Sequence, residues 1–430
     1  MRATSGKEPM SVTLDLPTPM PLVLADGAPA ASAWVLDPAL RHLNHGSFGA
    51  VPRVALDHQR EAQAEMERAP VAWFPGLPLR IAGARARIAP WLRVDPQRLA
   101  MVPNASGGAS VVFTSVPLSR GAEVLVTDHG YGAVTGGAAR LARRAGASVR
   151  TAEVPLAADA DEAAAAVLAE VTDRTELIVV DHITSPTARR MPVAAICAAA
   201  RERGITTLVD GAHAPLLLED PVAEADADFW VGNLHKYGTA PRGSAVLVAR
   251  PGPADLVHPL IDSWGADLDF PERFDHQGTL DLTSWLAAPV ALDFVEEAFG
   301  WDRVRRYTAE LAGWAQELLT TELSEAFGVD CRARVGMPIG PIRLVGLPPG
   351  LADAHLSANG LRDRMLAEAG IETAFTSFEG RGYLRLSAHA YNTPEDYVDL
   401  VERGIPLLKR WAGDASPEPP TVNPEERREQ

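Results

Sequence analysis

Residues 206–236 read TTLVDGAHAPLLLEDPVAEADADFWVGNLHK, and this stretch decides the fold class. It holds two short strand-like runs, 206–209 and 229–231, and polar residues follow each of them. Asp210 comes directly after the first run, and Lys236 lies a few residues beyond the second. Short apolar runs of this kind are typical of strands buried on both faces of a sheet. The stretch therefore predicts strands whose ends bring a carboxylate and an amine to one edge of a sheet.

Apolar runs of the same kind lie on both sides of this stretch, at 123–127, 177–180 and 244–248. Helical patterns separate several of them, as at 193–203. Strands alternating with helices predict an α/β fold with a parallel or mostly parallel sheet. Beyond residue 288 the pattern changes to one long helix over roughly 289–323, followed by short strands and helices.

Composition and pattern divide the chain into four parts. Residues 1–33, rich in Ala and Pro, are predicted to form a flexible arm. Residues 34–288 form a large α/β domain, whose N-terminal segment also contributes to a small α+β domain at 289–412. The polar, Pro-rich residues 413–430 are predicted to form a disordered tail.

The charge and composition exclude several classes of function. The 430 residues carry a formal net charge of −16, which argues against nucleic acid because its phosphates require a basic face. No apolar run approaches the roughly 18 residues of a membrane span. The two cysteines, Cys197 and Cys331, lack the spacing of metal ligands, so we expect no metal. We predict a cytoplasmic protein.

Two strand ends in the opening stretch carry reactive groups. Asp210 can pair with a protonated ring nitrogen of a cofactor, and the alternative is an acidic helix cap. Lys236 can form an imine with an aldehyde once its pKa is lowered, whereas a lysine alone would be interpreted as a surface residue.

Two further strand ends add a phosphate motif and a ring. Residues 103–110 read Pro-Asn-Ala-Ser-Gly-Gly-Ala-Ser and lead into an apolar helix, whose first N–H groups suit a phosphate. The alternative is that Ser106 is only the N-cap of that helix. In residues 127–132, His129 or Tyr131 can lie flat on a heteroaromatic ring, and packing within the loop is the alternative.

In this order and spacing the motifs resemble the class V aminotransferase family of fold type I pyridoxal 5′-phosphate (PLP) enzymes, over residues 43–392. Within the family, residues 43–49 (Leu-Asn-His-Gly-Ser-Phe-Gly) and 278–287 are similar to isopenicillin N epimerase and its relatives. The resemblance implies a large domain with a mostly parallel sheet of the seven-stranded type between helices, and a small C-terminal domain. It also implies PLP as cofactor and a homodimer with active sites at the interface.

The resemblance assigns roles to individual residues. It implies that Lys236 holds the cofactor aldehyde as a Schiff base and moves the proton at the substrate α-carbon, and that Asp210 pairs with the pyridine nitrogen. The other cofactor contacts that it implies are His213 and Ser185 near the phenolic oxygen; Ser106, Gly107, Asn233 and His235 at the phosphate; Tyr131, or else His129 as in cysteine desulfurases, over the ring; and Thr279 at a phosphate across the dimer interface.

The substrate residues follow from the same resemblance. Arg385 matches the arginine that binds the α-carboxylate of an amino acid, a task that suits its planar fork. A solvent-facing strand arginine is the alternative. Asn44 and His45 are implied to lie beside the substrate, which is a small-molecule amino acid.

Two departures from the family pattern bear on the reaction. Desulfurases carry a nucleophilic cysteine shortly before the Arg-x-Ser strand, and residues 371–383 contain none, which argues against persulfide chemistry. Leu280 stands where epimerase-like members often have arginine. The side-chain pocket, and so the substrate, is left open.

The sequence therefore predicts α-carbon chemistry on an amino acid or S-substituted cysteine conjugate in secondary metabolism, with C–S β-elimination slightly favoured. Isopenicillin N-type epimerisation is the close alternative, and transamination and decarboxylating deamination also stay open. A PLP-binding regulator without turnover is the remote alternative, because such regulators usually carry a DNA-binding domain and nothing of that kind precedes Leu43.

Overall fold

The computed structural model describes residues 17–413. The predicted tail beyond residue 413 and the first 16 residues of the predicted arm lie outside the described residues.

The described residues form short strands and longer helices. The strands are β1 (Arg41–His42), β2 (Leu99–Val102), β3 (Glu123–Thr127), β4 (Ser148–Ala152), β5 (Thr175–Asp181), β6 (Thr206–Asp210), β7 (Phe229–Asn233), β8 (Ala245–Ala249), β9 (Ile342–Gly346), β10 (Ile371–Glu372), β11 (Ala374–Phe378) and β12 (Arg381–Ser387). The α-helices are α1 (Arg53–Arg68), α2 (Pro70–Ile88), α3 (Ala105–Ser115), α4 (Gly132–Ala145), α5 (Ala160–Ala169), α6 (Val193–Glu202), α7 (Pro221–Ala225), α8 (Pro253–Leu256), α9 (Thr283–Phe299), α10 (Trp301–Phe327), α11 (His355–Ala369), α12 (Pro394–Asp399) and α13 (Ile405–Gly413).

The large sheet has seven strands in the order β2-β8-β7-β6-β5-β3-β4. The five strands from β7 to β4 run parallel, and β8 runs antiparallel to both of its neighbours. Its central strands are buried throughout, and an apolar cluster packs on each face. This explains their continuous apolar runs and confirms the predicted α/β fold with a mostly parallel sheet.

The chain reverses direction between β7 and β8, and Lys236 lies in the loop where it does so. Leu234 and His235 both donate from the backbone to Ser244 O at 3.2 Å, and Ala240 N donates to Leu234 O at 3.1 Å. The chain therefore turns back in a closed loop at the carboxyl end of β7. The run at 244–248 is a strand as predicted, but an apolar run carries no information about strand direction.

The C-terminal part holds a second, antiparallel sheet in the order β11-β12-β9. A separate parallel pair, β1 with β10, aligns Arg41 with Ile371 and His42 with Glu372. The N-terminal segment is thereby joined to the C-terminal part, next to the loop at residues 43–49.

Two predictions about elements differ from the structure. The helix predicted over roughly 289–323 is two helices, because Gly300 between them adopts φ +76° and the side chain of Glu296 accepts from Trp301 N. The described part of the predicted flexible arm, residues 17–33, packs on the core through Leu22 and Ala30, which are buried.

None of the helices between residues 17 and 413 has the length and apolar content needed to cross a bilayer.

Candidate active site

Lys236 lies at the carboxyl edge of the large sheet, just after β7. Its Nζ is 3.0 Å from Nε2 of His213 and 6.0 Å from the ring centre of Tyr131. Burial lowers the pKa of Lys236 from 10.5 to about 8, although the carboxylates of Asp210 and Asp181 oppose this shift. A lysine with such a pKa offers far more neutral, nucleophilic amine near neutral pH than an ordinary lysine does.

Asp210 ends β6, next to β7 in the sheet. One carboxylate oxygen accepts from Ala212 N at 3.0 Å, while Oδ2 is buried without a partner among the described residues. Burial raises the pKa of Asp210, although the N–H of Ala212 and the charge of Lys236 oppose this shift. A buried acceptor without a donor is costly, so the position fits the N–H of a protonated pyridine ring.

The N-terminus of α3 is the candidate site for an anion. Asn104 is its N-cap and accepts from Gly107 N at 2.7 Å, and the side chain of Asn233 accepts from Ala105 N at 2.8 Å. Ser106 lies between these two N–H groups in the first turn, where backbone N–H groups have no partner within the helix. The predicted alternative, that Ser106 is the N-cap, is wrong.

These contacts also change how the predicted phosphate residues are interpreted. Gly107 N is engaged by the cap, and Asn233 holds the first turn of α3 in place. His235 points Nδ1 at Ser244 O, 2.8 Å away. Among the four residues predicted to bind the phosphate, Ser106 has the hydrogen-bond donors that are least engaged by other groups.

Arg385 lies on β12 and is buried. Nη1 donates to Ser185 O at 2.7 Å and to Ser185 Oγ at 3.0 Å, and Nη2 donates to Asn44 Oδ1 at 3.2 Å and Ser47 Oγ at 2.6 Å. Within residues 17–413 no carboxylate pairs with it, and its Nε has no acceptor. A buried guanidinium held only by neutral groups is suited to an anionic ligand.

His213 and Ser185 occupy the space between Lys236 and Arg385. The two ring nitrogens of His213 face Gly46 O at 2.9 Å and Ile183 O at 3.3 Å. Burial lowers its pKa well below the usual value, so the ring is neutral. Ser185 is predicted to lie at the phenolic oxygen of the cofactor. In the structure its hydroxyl oxygen accepts a hydrogen bond from Arg385.

Tyr131 and His129 were alternatives for stacking on the cofactor, and their surroundings differ. His129 is fully buried, stacks on Phe378 with 4.3 Å between ring centres, and contacts Thr187 Oγ1 at 2.7 Å and Val154 O at 2.6 Å. Tyr131 is 44% exposed and its ring approaches Lys236. The geometry therefore favours Tyr131.

His45 contacts the backbone of Lys236. Its Nε2 donates to Lys236 O at 2.9 Å, its Nδ1 accepts from the hydroxyl of Tyr391 at 2.8 Å, and its ring stacks on His389 at 4.0 Å. Both nitrogens are thus engaged. The structure places His45 under the lysine loop, while Asn44 contacts Arg385.

Thr279 stands apart from this cluster. It is exposed, as are its neighbours Gly278 and Leu280, and no hydrogen bond of the described residues joins it to the others. The fold of one chain does not bring it to Lys236.

Three contributors were not predicted. Ser47 binds Arg385, Asp181 lies beside Asp210 in register, and Gly49 packs against the backbone of Lys236. Ser47 and Gly49 belong to the 43–49 motif, which was the available signal; Asp181 ends β5 as Asp210 ends β6.

Comparisons with known proteins agree with this geometry. The family profile described as aminotransferase class-V matches residues 78–400. Isopenicillin N epimerase from Streptomyces clavuligerus is 32% identical over 401 residues, covering 89% of this chain and 98% of that protein. L-cysteine desulfhydrase from Arabidopsis thaliana is 27% identical, covering 85% of this chain and 87% of that protein.

Among solved structures, a mutant of C-DES with glycine covalently linked to the PLP cofactor superposes with a TM-score of 0.74. It is 20% identical in sequence and covers 90% of this chain and 99% of that one. This likeness confirms the fold type that the motifs indicated.

Proposed function

The chain belongs to the class V aminotransferase family and is a PLP-dependent enzyme, and from this premise we propose that it cleaves the C–S bond of S-substituted cysteines by β-elimination. The residues of the site fit the cofactor, because Asp210 has an unpartnered buried oxygen for the ring nitrogen and Ser106 lies in the first turn of α3, where its N–H suits a phosphate. When bound, the cofactor stabilises negative charge at the substrate α-carbon.

The chain's own groups then have distinct tasks. Arg385 binds the α-carboxylate of the amino acid with the fork that Asn44, Ser47 and Ser185 hold in place. Lys236 takes the proton from the α-carbon. The electron pair of that C–H bond forms the new Cα–Cβ double bond, and the C–S pair leaves with sulfur. Hydrolysis of the remaining fragment yields pyruvate and ammonia beside the thiol.

One observation supports elimination ahead of epimerisation: in the described part of the chain, the histidines predicted to lie beside the substrate or the cofactor ring are held by neighbouring groups. Elimination requires one base at the α-carbon, whereas inversion requires a second acid/base group on the opposite face. The imidazoles of His213, His45 and His129 have both nitrogens placed against neighbouring groups, and burial lowers the pKa of each.

The cysteines support a lyase over a desulfurase. Cys197 and Cys331 are both buried, and burial raises the pKa of Cys197 to about 12. The hairpin of β11 and β12, which carries Arg385, contains no thiol. A sulfur atom therefore has no protein acceptor at this position and leaves as a free thiol.

The test uses the purified holoenzyme with S-alkyl and S-aryl cysteines. We expect stoichiometric thiol, pyruvate and ammonia, and no product from Lys236→Ala. Absence of both thiol and pyruvate with every conjugate, while the visible cofactor band still changes, would overturn the elimination proposal.

Amino-acid epimerisation is the second candidate, favoured by the 32% identity to isopenicillin N epimerase over nearly the whole of that relative. It predicts exchange of the α-proton for deuterium from solvent and loss of optical rotation, without release of ammonia. Measuring both products and exchange on one set of amino acids separates the two reactions.

We also propose that the enzyme works as a homodimer. Trp264 is 97% exposed, and Leu260, Ile261 and Leu280 near Thr279 are exposed apolar residues as well. Such a patch suits a protein interface, where Thr279 would reach the phosphate of the neighbouring site. Secondary metabolism and a cytoplasmic location stay predictions from the sequence.

A further inference from the structure

A cavity of about 420 Å³ lies against the outer side of Asn44. Its wall also includes Phe48, Thr373 and Arg242. Asn44 donates to Thr373 O at 3.1 Å and accepts from Arg385 at 3.2 Å, so one side chain separates the cavity from the carboxylate-binding arginine. The volume lies within the roughly 300–1,000 Å³ of small-molecule sites.

The lining combines apolar side chains with polar and charged ones. Val35, Leu36, Leu40, Phe48 and Leu366 contribute to it. Phe48 is 61% exposed although it follows Ser47, which binds Arg385. An exposed aromatic ring beside the substrate carboxylate site offers a contact for the methylene groups of a long side chain.

Arg242 contributes a positive charge to the same lining, beside the apolar side chains. Its guanidinium donates to Gly49 O at 3.4 Å, and in the described part of the chain it forms no ion pair. The lining also holds Arg362 and three carboxylates. The hydrogen bond with His42, and to a smaller extent the charge of Arg242, lowers the pKa of one of them, Glu372. Glu372 pairs with His42, Asp37 accepts from Ala39 N at 2.9 Å, and Asp363 pairs with Arg362 at 2.9 Å.

Arg242 is also fixed relative to the reacting centre. Gly49, whose carbonyl it contacts, packs so closely on the lysine loop that a methyl group there would lie 2.6 Å from Lys236 O. Arg242 is therefore linked, through Gly49, to the loop that carries Lys236.

We propose that this cavity receives the distal part of the substrate and that Arg242 binds an anionic group at its end. The preferred substrates are then amino acids whose long, largely methylene side chain ends in a carboxylate. This inference rests on the proposed function, because it takes Lys236 and Arg385 as the centre that binds the amino-acid head.

The experiment measures binding separately from elimination. L-α-aminosuberate carries a terminal carboxylate and has no leaving group, and its ω-amide is a neutral control of the same shape. Each is titrated into the holoenzyme, and the change of the visible cofactor band gives Kd. We expect the acid to bind about tenfold more tightly than the amide, the effect of one charge-assisted contact at a partly exposed site.

The variant Arg242→Gln should reduce the ratio of the two Kd values to near one. Arg303→Gln, an exposed arginine on α10 outside the cavity lining, should keep the wild-type ratio. The preference should also shrink in high salt, since it rests on a partly exposed charge. Equal Kd values for acid and amide in the wild type would overturn the inference, as would an unchanged ratio in Arg242→Gln.

Elimination is assayed in parallel with S-(3-carboxypropyl)-cysteine, the sulfur analogue of aminosuberate, and its amide. If both cysteine conjugates release thiol without preference, the cavity inference fails and the proposed function stands. If aminosuberate discriminates as expected but no conjugate releases thiol, elimination fails and the binding inference stands.

Discussion

At the scale of single residues, the site is a set of charges that lack partners in the folded chain. Asp210 has an open oxygen, Arg385 has an open Nε, and Lys236 faces a neutral imidazole. Each of these costs stability when the site is empty, because buried polar groups are normally paired. Cofactor and substrate supply the missing partners.

Lys236 should capture the cofactor with a pH dependence set by its lowered pKa. Only the neutral amine reacts with an aldehyde, and the pKa of about 8 means that its fraction grows as the pH rises and levels off above that value. Stopped-flow measurement of the visible band after mixing apoenzyme with PLP should therefore give a midpoint near 8. A midpoint near the ordinary lysine value of 10.5 would contradict this reading.

Asp210→Asn should have opposite effects on the empty and the loaded enzyme. Burial raises the pKa of Asp210, so removing the charge relieves a penalty and the apoenzyme should melt at a higher temperature. In the holoenzyme the loss of the charge at the ring nitrogen should lower turnover by about 30-fold, or roughly 2 kcal/mol. Thermal melts with and without PLP, together with turnover, test both signs; parallel shifts would oppose the assignment.

The sequence could predict a role for those residues whose flanking sequence forms a recognisable motif. Lys236, Asp210 and Arg385 each follow or lie on a short apolar strand, and the order of their motifs is distinctive. His45 and His129 could not be placed in this way, because their partners Tyr391 and Phe378 are hundreds of residues distant along the chain. Only the fold shows that their nitrogens are occupied.

At the scale of elements, the connections between strands position the chemistry more than the strands do. The α3 N-terminus and the β7–β8 loop both receive side chains from elsewhere, Asn233 in one case and His45 in the other. The antiparallel β8 and the break at Gly300 were not predicted, because strand direction and helix interruption depend on packing partners that local patterns do not encode.

The cap of α3 allows stability and anion binding to be separated. Asn104→Asp keeps an oxygen that can accept from Gly107 N, so the melting temperature should change little, but its charge repels phosphate and the Kd for PLP should rise. Asn104→Ala loses the cap and should cost about 1 kcal/mol. Equal PLP affinity in the wild type and Asn104→Asp would argue against a phosphate at this helix.

Gly49 should tolerate no side chain. A Cβ there would lie 2.5 Å from His235 O, so Gly49→Ala must displace the lysine loop and should cost about 1–3 kcal/mol along with turnover. Gly83→Ala in α2 is the matched control, since it meets nothing within 4 Å and should stabilise the helix by up to about 1 kcal/mol. Urea unfolding and initial rates of both variants check this; a silent Gly49→Ala would show that the loop is pliable.

At the scale of the whole molecule, Thr279 is a predicted site residue that lies apart from the cluster around Lys236 in one chain. The exposed Trp264 and the apolar residues around it mark where a second copy would bind. No sequence pattern within one chain states which surface faces a partner, so this part of the prediction rests on the family resemblance.

Mixing two inactive subunits tests the shared site. If Thr279 serves the neighbouring site, combining Lys236→Ala with Thr279→Ala subunits creates hybrid dimers with one intact site. Activity should then exceed that of either parent after subunit exchange. Trp264→Glu, which should yield monomers in sedimentation experiments, is the control that abolishes this recovery. If mixing gives only the average of the parents, Thr279 acts within its own chain or not at all.

The pairing of β1 with β10 also has a consequence for biosynthesis. His42 and Glu372 are separated by 330 residues. Most of the chain must therefore be translated before β10 can pair with β1 and support the loop at 43–49. At about 5–20 residues per second, this takes roughly 15–70 s on the ribosome. The loop that backs Lys236 is therefore assembled late, and a nascent chain stalled before β10 cannot yet form a finished catalytic centre.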